Sequence, residues 1–407
     1  MNKKFWIVIV TTLILLTSIF FIFSKKQDNN EVVFWTLQMN DFAPYINGVI
    51  KEFETENPNI KIKWVDVPFS EGEKRTLASV LSDNPPDLVN LNPDFSSTLA
   101  HKGALQEIPA EKTSQFNQEI LNSLKTNGKI YSIPWYATSA ITIYNKKLLN
   151  KAGISIPKTY DEIEKFARQV RKNTGAYIFL PNITENDTML KILNKYGCAN
   201  STDINSTKSV EVFDKFRTMY AKNLIPKETV TMTLQEALEK YMSENILLIG
   251  AGANFLNMIK ENAPSTYANT DVAPQITGEL RQNDFSLMNF VIPTRAKHKD
   301  EALKFALFLT NDKNQLELAK LTNVLAVNQK TLQNDFYTKY DNNDLMSKAR
   351  VISAKQLNKV QPVLKTQKGQ KDINNIVNAA VQEILLGEND TQQVLNKVSK
   401  DWKALEE

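Results

Sequence analysis

Buried strands that alternate with amphipathic helices constrain the fold of this chain more than any other sequence feature. Residues 32–35 are an apolar run typical of a buried strand, and the apolar residues of 46–53 recur at the spacing of one helix face. Residues 60–64 alternate as a second strand, residues 73–81 predict a second helix, and residues 87–91 predict a third strand. This β-α-β-α-β series is typical of a mostly parallel sheet with helices on its faces.

The alternation resumes further along the chain. Thr159, with Glu162 three residues later, predicts a capping box at a helix start. Further strands are expected at residues 140–144, 177–180, 246–249 and 285–292, and further helices at 210–220, 234–242, 301–309, 314–321, 345–360, 373–386 and 394–405. Because 407 residues are enough for two domains with a core each, we expect two α/β lobes with additional terminal helices.

The first 26 residues have the composition of a membrane segment. Residues 5–23 contain no charge and, as a helix, would span roughly 28 Å, about the thickness of a hydrocarbon core. No Ala-x-Ala cleavage site follows, and no cysteine is available there for acylation. We therefore expect residues 1–26 to be an uncleaved anchor in the cytoplasmic membrane, with a cleaved signal peptide as the alternative. The rest of the chain is expected on the periplasmic or extracellular face.

The basic balance of the chain belongs to this N-terminal segment. The whole chain has 49 Lys and Arg against 45 Asp and Glu. Residues 1–26 contain four lysines and no acidic residue, so the remaining residues are formally neutral. Nucleic-acid binding thereby loses its main support, because it requires a concentrated basic surface.

The residue types needed for most catalysis are scarce. Cys198 is the one cysteine, which excludes an intrachain disulfide and cysteine-based metal clusters. His101 and His298 are far apart in the sequence, and both are predicted to lie at the surface. No P-loop motif is present, and Gly250-x-Gly252 lacks the third glycine of a dinucleotide site. We therefore expect a protein that is not an enzyme and that holds neither a cofactor nor a metal.

Aromatic residues beside polar loops suggest sugar binding. Trp35 ends the first strand, and Trp135 and Tyr136 follow Ile133-Pro134, where the chain leaves a sheet. A flat ring contacts the C–H face of a sugar while amides and hydroxyls bind its rim. Packing in the core is the alternative for these residues.

With these residues placed, the chain resembles the family 1 extracellular solute-binding proteins, the maltodextrin-binding-like subunits of ABC importers. The resemblance rests on the order and spacing of short motifs over roughly residues 31–330. They include Val33-Phe34-Trp35-Thr36, Asn57-Pro58-Asn59-Ile60, Pro86-Asp87-Leu88-Val89, Gly128-Lys129-Ile130-Tyr131-Ser132-Ile133-Pro134, Tyr144-Asn145-Lys146-Lys147-Leu148 and Pro157-Lys158-Thr159-Tyr160-Asp161-Glu162.

The resemblance implies a two-lobe periplasmic-binding-protein fold of type II, in which discontinuous lobes close on a solute by a hinge motion. Lobe 1 would comprise residues 31–138 and 284–335, and lobe 2 residues 139–283 and 345–407. The chain would cross between the lobes near residues 137–141, 275–284 and 336–350.

Carrying the family pattern over position by position implies a solute pocket at loops that follow strands. The candidate residues are Trp35, Gln38, Asn40, Asp41, Asn92, Asp94, Phe95, Trp135, Tyr136, Thr138, Asn254, Phe255 and Asn289. Thr138 falls where a relative that binds maltodextrins has a carboxylate, and Gly250-Ala251-Gly252-Ala253 lacks the usual tryptophan. The identity of the solute is therefore not carried over.

We expect the solute-binding subunit of an ABC importer, a monomer that captures a neutral sugar or oligosaccharide and delivers it to permease subunits. A pocket rich in amides, hydroxyls and aromatics with few Arg or Lys favours a neutral solute. The alternatives are a binder of glycerol-3-phosphate-like or other charged solutes, a membrane-anchored sensor, and a glycoside-active enzyme. The enzyme alternative rests on the acidic pairs Glu71/Glu73 and Glu185/Asp187, which we interpret as solvated acids at helix starts.

Overall fold

The computed structural model of the chain describes residues 30–357 and 369–406. The apolar run at residues 5–23 lies outside the described residues, as does the predicted end of the helix at residues 358–360. Within the described part of the chain, no helix combines the length and the apolar character that crossing a membrane requires.

Two sheets organise the described residues. The larger sheet has six strands in the order β12-β6-β11-β3-β1-β2, and the smaller has four in the order β10-β7-β9-β8. The strands of the larger sheet are β1 Asn30–Leu37, β2 Ile60–Val67, β3 Leu88–Leu91, β6 Ser132–Thr138, β11 Ser286–Val291 and β12 Leu325–Ala326. Those of the smaller sheet are β7 Ile141–Asn145, β8 Tyr177–Phe179, β9 Ile246–Ala251 and β10 Thr270–Ala273, and β4 Lys125–Thr126 and β5 Lys129–Ile130 form a separate hairpin.

Helices cover both sheets and form the C-terminal part of the chain. In chain order, the described α-helices are α1 Ala43–Glu56, α2 Phe69–Val80, α3 Pro93–His101, α4 Gln118–Ser123, α5 Lys146–Ala152, α6 Tyr160–Thr174, α7 Thr188–Asn194, α8 Thr207–Ala221, α9 Leu234–Met242, α10 Phe255–Asn262, α11 Pro264–Ala268, α12 Lys299–Leu309, α13 Asp312–Thr322, α14 Gln329–Leu332, α15 Asp335–Thr338, α16 Leu345–Gln356, α17 Gln370–Leu386 and α18 Thr391–Glu406. The strands and helices expected from the sequence are thus confirmed within the described residues, with ends that differ by a few positions.

Each sheet has its own hydrophobic core. Beside the six-stranded sheet, the Phe34 ring makes edge-to-face contacts with Phe290 and Phe305, at centroid distances of 5.7 and 5.3 Å. The C-terminal helices α17 and α18 instead contribute Val377 and Leu395 to the core of the smaller sheet. The last helices of the chain therefore return to the smaller sheet, while β11 and β12 complete the larger one.

Two details of the sequence prediction are wrong. The β-α-β-α-β series does form parallel pairs, of β1 with β2 and with β3. The sheets as a whole are mixed rather than mostly parallel, because β6, β11 and β12 pair antiparallel in the larger sheet and β7 pairs antiparallel with both its neighbours in the smaller one. The capping box at Thr159 is half formed: its Oγ1 accepts from Glu162 N at 3.2 Å, but the Glu162 carboxylate accepts from Lys158 N. The complete capping box lies at Thr233 and Glu236.

Candidate functional site

Two adjoining cavities lie where the two sheets meet. The first, here called the lysine cavity, has a volume of about 470 Å³ and is lined from the smaller sheet by Lys191, Lys195 and Asp187 and from the crossing segment by Asp284. The second, here called the arginine cavity, has a volume of about 420 Å³ and contains Arg350. Thr138, Gly252 and Asn254 line both cavities, so the two form one continuous cleft. A cleft of this size at a junction of lobes is the usual setting of a small-molecule site.

Lys191 places a cation in the lysine cavity. Its Nζ lies 3.0 Å from Asp187 Oδ1, one helical turn away on α7. Burial acts to lower the pKa of Lys191, but the carboxylates of Asp187, Asp284 and Asp94 outweigh burial and raise that pKa. Lys191 therefore stays charged, and the influence of Asp94, at the start of α3, shows that the larger sheet contributes to the electrostatics of this cavity.

Lys195 connects the lysine cavity to the segment that crosses between the sheets. Its side chain is 3% exposed, and its Nζ lies 2.8 Å from Asp284 Oδ2. The same Nζ donates to Gln275 Oε1 at 2.9 Å and to the carbonyl of Ile276 at 2.8 Å. Asp284 is 25% exposed and faces the cavity, so one ion pair joins the cavity wall to the crossing segment.

Buried amides tie the crossing segments to one another. Gln356, on α16, donates to Ser139 Oγ and to the carbonyl of Ala140, both at 2.9 Å. Its Oε1 accepts from Gln275 N at 2.7 Å, and Gln275 in turn donates to the carbonyl of Asp284 at 3.0 Å. Because buried amides that satisfy one another hold a defined geometry, this network holds the crossing segments together.

Aromatic side chains give the cleft the flat apolar surfaces that a sugar ring can contact. Tyr160, Phe179, Phe255 and Phe285 line the lysine cavity, and Tyr136 lines the arginine cavity. Burial raises the pKa of Tyr136 to about 12, so its phenol stays protonated near neutral pH. The phenol hydroxyl can therefore act as both donor and acceptor.

Four of the candidate residues lie in the cleft. Thr138 is exposed at the end of β6 and lines both cavities, as does Asn254 at the start of α10. Phe255 follows Asn254 in the lysine cavity, and Tyr136 lies in the arginine cavity. A Cβ on Gly252 would lie 2.4 Å from Asn254 Oδ1, so this glycine leaves room for the Asn254 amide to fold over the turn.

Trp135 and Asn289 are enclosed in the larger sheet. Trp135 is 0% exposed and its ring stacks on Phe290, with the ring centroids 4.6 Å apart. The core alternative therefore describes Trp135 in this structure. Asn289 is also 0% exposed, on β11 between β3 and β6. Neither side chain presents a surface to either cavity.

The remaining candidates lie on the larger sheet outside the linings of the two cavities. Trp35 and Phe95 are partly buried against one small hydrophobic cluster of this sheet. Asn92 acts as the N-cap of α3, where its Oδ1 accepts from Phe95 N at 2.8 Å. Gln38, Asn40 and Asp41 are exposed in the segment that follows β1, and Asp94 is exposed in the first turn of α3, which follows β3.

Sequence reasoning missed the charged side chains of the cleft. Glu185 and Asp187, interpreted from the sequence as solvated acids, both line the lysine cavity. The expectation of a pocket with few Arg or Lys is also wrong, because Lys191, Lys195 and Arg350 line the cleft. Asp284 and Arg350 belong to no sequence motif, because the chain brings them to the cleft only through its crossings. One available signal was the helical spacing of Asp187, Lys191 and Lys195, which repeats every four residues and predicts one face.

The cleft offers paired charges, amides and hydroxyls to a polar molecule. Asp187 and Asp284 are each ion-paired to a lysine, and neutral amides and hydroxyls surround them. Within residues 30–357 and 369–406, no group of three or more His, Cys, Asp or Glu side chains is placed to hold a metal ion. This arrangement suits hydrogen bonding to a polyol beside aromatic faces.

Comparison with known proteins points in the same direction. The family model of bacterial extracellular solute-binding proteins matches residues 38–316 of the chain. The multiple sugar-binding protein of Streptococcus mutans is 26% identical over 298 residues, which cover 67% of this chain and 69% of that protein. The diacetylchitobiose binding protein of Streptomyces coelicolor is 24% identical over 326 residues, which cover 74% of each chain.

Solved structures share the architecture over nearly the whole length. A protein of Synechococcus sp. MITs9220 assigned as an oligosaccharide periplasmic-binding protein matches with a TM-score of 0.82 at 28% identity, covering 92% of this chain and 98% of that chain. The sugar-binding protein MalE of Xanthomonas citri matches with a TM-score of 0.78 at 18% identity, covering 92% and 97%. The two-lobe α/β fold of the type II, maltodextrin-binding-like kind is thereby confirmed. The chain belongs to the bacterial extracellular solute-binding proteins.

Proposed function

We propose that this chain captures a sugar or oligosaccharide in the cleft between its lobes and delivers it to the permease of an ABC importer. The observation that carries the proposal is the continuous cleft in which Tyr160, Phe179 and Phe255 offer aromatic faces beside amides and paired charges. The relatives from Streptococcus mutans and Streptomyces coelicolor are both named as sugar-binding proteins, not as enzymes.

We further propose that residues 31–138 and 284–335 move as one lobe and residues 139–283 and 345–407 as the other. The amide network around Gln275 and Gln356 would then be the hinge, because it joins the segments that cross between the sheets. Closure would bring the loops after β1 and β3, with Gln38, Asp41, Asn92 and Asp94, toward the solute. Trp35 and Phe95 would support these loops from below.

The location of the protein follows from its family and its N-terminal composition. The family is extracellular, and residues 5–23 have the length and apolar character of an anchor in the cytoplasmic membrane. We propose a monomer tethered at the outer side of that membrane, close to its permease. Mass spectrometry of the mature chain would show whether the segment is retained or is removed as a signal peptide.

A thermal-shift screen of the purified full-length chain in detergent tests the proposal. A solute at 100 times its dissociation constant should add about 2.7 kcal/mol to the free energy of unfolding. Mono- and oligosaccharides are screened beside a glycerophosphodiester and a polyamine, and recovered saccharides are checked for cleavage. Stabilisation by the phosphodiester or the polyamine alone, or hydrolysis of a saccharide, would contradict the proposed function.

A matched pair of variants locates the site. Phe255→Ala removes an aromatic face of the lysine cavity, whereas Tyr340→Ala truncates an aromatic residue that is 45% exposed and lies outside both cavities. We expect the first variant to lose at least tenfold in solute affinity and the second to keep it, as measured by isothermal titration. Equal affinities of the two variants would place the solute elsewhere.

A further inference from the structure

Arg350 is a cation without an acidic partner in the arginine cavity. Its Nε donates to the carbonyl of Phe336 at 2.7 Å, and its guanidinium carbon lies 3.7 Å from the centroid of the Phe336 ring. These contacts hold the guanidinium in place through its Nε and one face of its plane. Among the described residues, no carboxylate forms an ion pair with it, and its terminal Nη groups carry no hydrogen bond to the protein.

The surroundings of Arg350 disfavour its charge. Burial lowers the pKa of the Arg350 guanidinium, and the carboxylate of Asp344 opposes this shift without cancelling it. Asp344 caps the start of α16, where its Oδ1 accepts from Met346 N at 3.1 Å. The cation is therefore under-compensated, and an anion brought beside it would gain a charge-assisted hydrogen bond.

A second polar group in the same cavity lacks a partner. Ser353 lies three residues after Arg350, so both side chains emerge from one face of α16. Ser353 is 3% exposed and belongs to the lining of the arginine cavity. Its hydroxyl oxygen has no hydrogen-bond partner among the described residues. A buried hydroxyl left unpaired costs free energy. A ligand atom between Arg350 and Ser353 would satisfy both groups.

The lysine cavity has the opposite character. Lys191 and Lys195 face three carboxylates there, those of Glu185, Asp187 and Asp284, so the lining has a formal charge of −1. An acidic ligand group would be repelled from this end of the cleft, whereas neutral hydroxyls can bind to its paired charges. The two cavities therefore favour different ends of one ligand.

We propose that the solute is an acidic saccharide, whose carboxylate binds between Arg350 and Ser353 while its neutral sugar ring occupies the lysine cavity. This inference rests on the proposed function and changes the expectation of a neutral solute. The planar guanidinium suits a carboxylate, because two parallel N–H groups can donate to its two oxygens.

Matched pairs of saccharides test the inference on the purified full-length chain. Maltose, cellobiose and galactobiose are each compared with the corresponding disaccharide in which one hexose is oxidised at C6 to the uronic acid. Isothermal titration at about 20 mM and about 200 mM salt gives the affinities. We expect at least one uronate to bind at least tenfold tighter than its neutral partner, with a smaller advantage at high salt.

Variants assign the effect to the site. Arg350→Gln should abolish the preference for the uronate, so that the two members of each pair bind with similar affinity, and Arg350→Lys should restore part of the preference. Ser353→Ala should weaken uronate binding several-fold. Arg295→Gln removes the same charge from an exposed arginine paired with Asp83 and should change nothing.

The outcomes separate this inference from the proposed function. If the neutral saccharide binds as tightly as its uronate in every pair, the proposal of an acidic solute is wrong, but the proposal of sugar binding is still supported. A uronate preference that survives in Arg350→Gln would also overturn it. If no saccharide of either kind binds, both proposals are wrong. If Arg350→Gln does not fold, the affinities of the saccharide pairs for the unmodified chain and for Ser353→Ala decide whether the solute is acidic.

Discussion

Replacing Lys195 by methionine should test whether one ion pair holds the crossing segment to the part of the chain that packs on the smaller sheet. Methionine keeps most of the apolar stem and removes the ammonium, which is 3% exposed and has three acceptors. Breaking a buried pair costs about 3–5 kcal/mol, and Asp284, at 25% exposed, can recover part of its hydration. We therefore expect a loss of about 3 kcal/mol.

Thermal unfolding followed by circular dichroism measures this loss. For a lobe of this size, 1 kcal/mol shifts the melting temperature by about 2–4 °C, so Lys195→Met should melt about 6–12 °C lower. Lys147→Met is the control, since its partner Glu244 lies at the same distance of 2.8 Å but the Lys147 side chain is 58% exposed. The control should melt within about 2 °C of the unmodified chain.

A double-mutant cycle with Asp284→Asn gives the decisive comparison. If the two charges act on each other, the loss in the double variant falls short of the sum of the single losses by at least about 2 kcal/mol. The reasoning would be refuted if the losses of Lys195→Met and Asp284→Asn add within about 0.5 kcal/mol. A melting temperature of Lys195→Met that matches the control would refute it equally.

Three further changes test other parts of the structure. In Gly278→Ala, the new Cβ would lie 2.5 Å from the Lys195 carbonyl oxygen, so we expect a loss of about 1–3 kcal/mol in thermal unfolding. Trp135→Phe should lower stability by about 1–3 kcal/mol, because the smaller ring leaves part of the buried indole site beside Phe290 empty, while isothermal titration shows solute affinity unchanged within about twofold. Raising the pH from about 10 to about 12 should lower the melting temperature, because Tyr136 ionises near pH 10 when unfolded but keeps its proton to about 12 when folded. Tyr136→Phe should reduce that slope, and an unchanged slope would show that its phenol is not buried.

The architecture was predictable because it depends on local patterns. Continuous apolar runs located β1 and β9, apolar alternation located β2, and apolar spacing located helices such as α1 and α6. The pairing direction of β6 and β11 was not predictable, since it is decided by where the chain crosses between lobes rather than by the residues of either strand. The capping box failed for a local reason, as the Glu162 carboxylate accepts from the neighbouring Lys158 N instead.

The candidate site was predictable only in part. Thr138 and Asn254 follow strand ends that open into the cleft, so their positions could be inferred from the order of elements. Trp135 shows the limit of that reasoning. The register of β6 shifts opposite Met288 and Asn289, and at this position the indole of Trp135 lies in the core. Arg350 lies on a C-terminal helix that the resemblance described in character only, and it enters the cleft because α16 returns across both sheets.

The interleaving of the two sheets along the chain governs when the protein can fold. Strand β11 lies between β3 and β6, so the larger sheet remains in two separate parts until residues 286–291 have been synthesised. At roughly 5–20 residues per second, about 10–40 s pass between the appearance of β3 and that of β11 at the ribosome. The core of the smaller sheet waits longer still, for α17 and α18. With this connectivity, neither core can be completed until most of the chain has been synthesised.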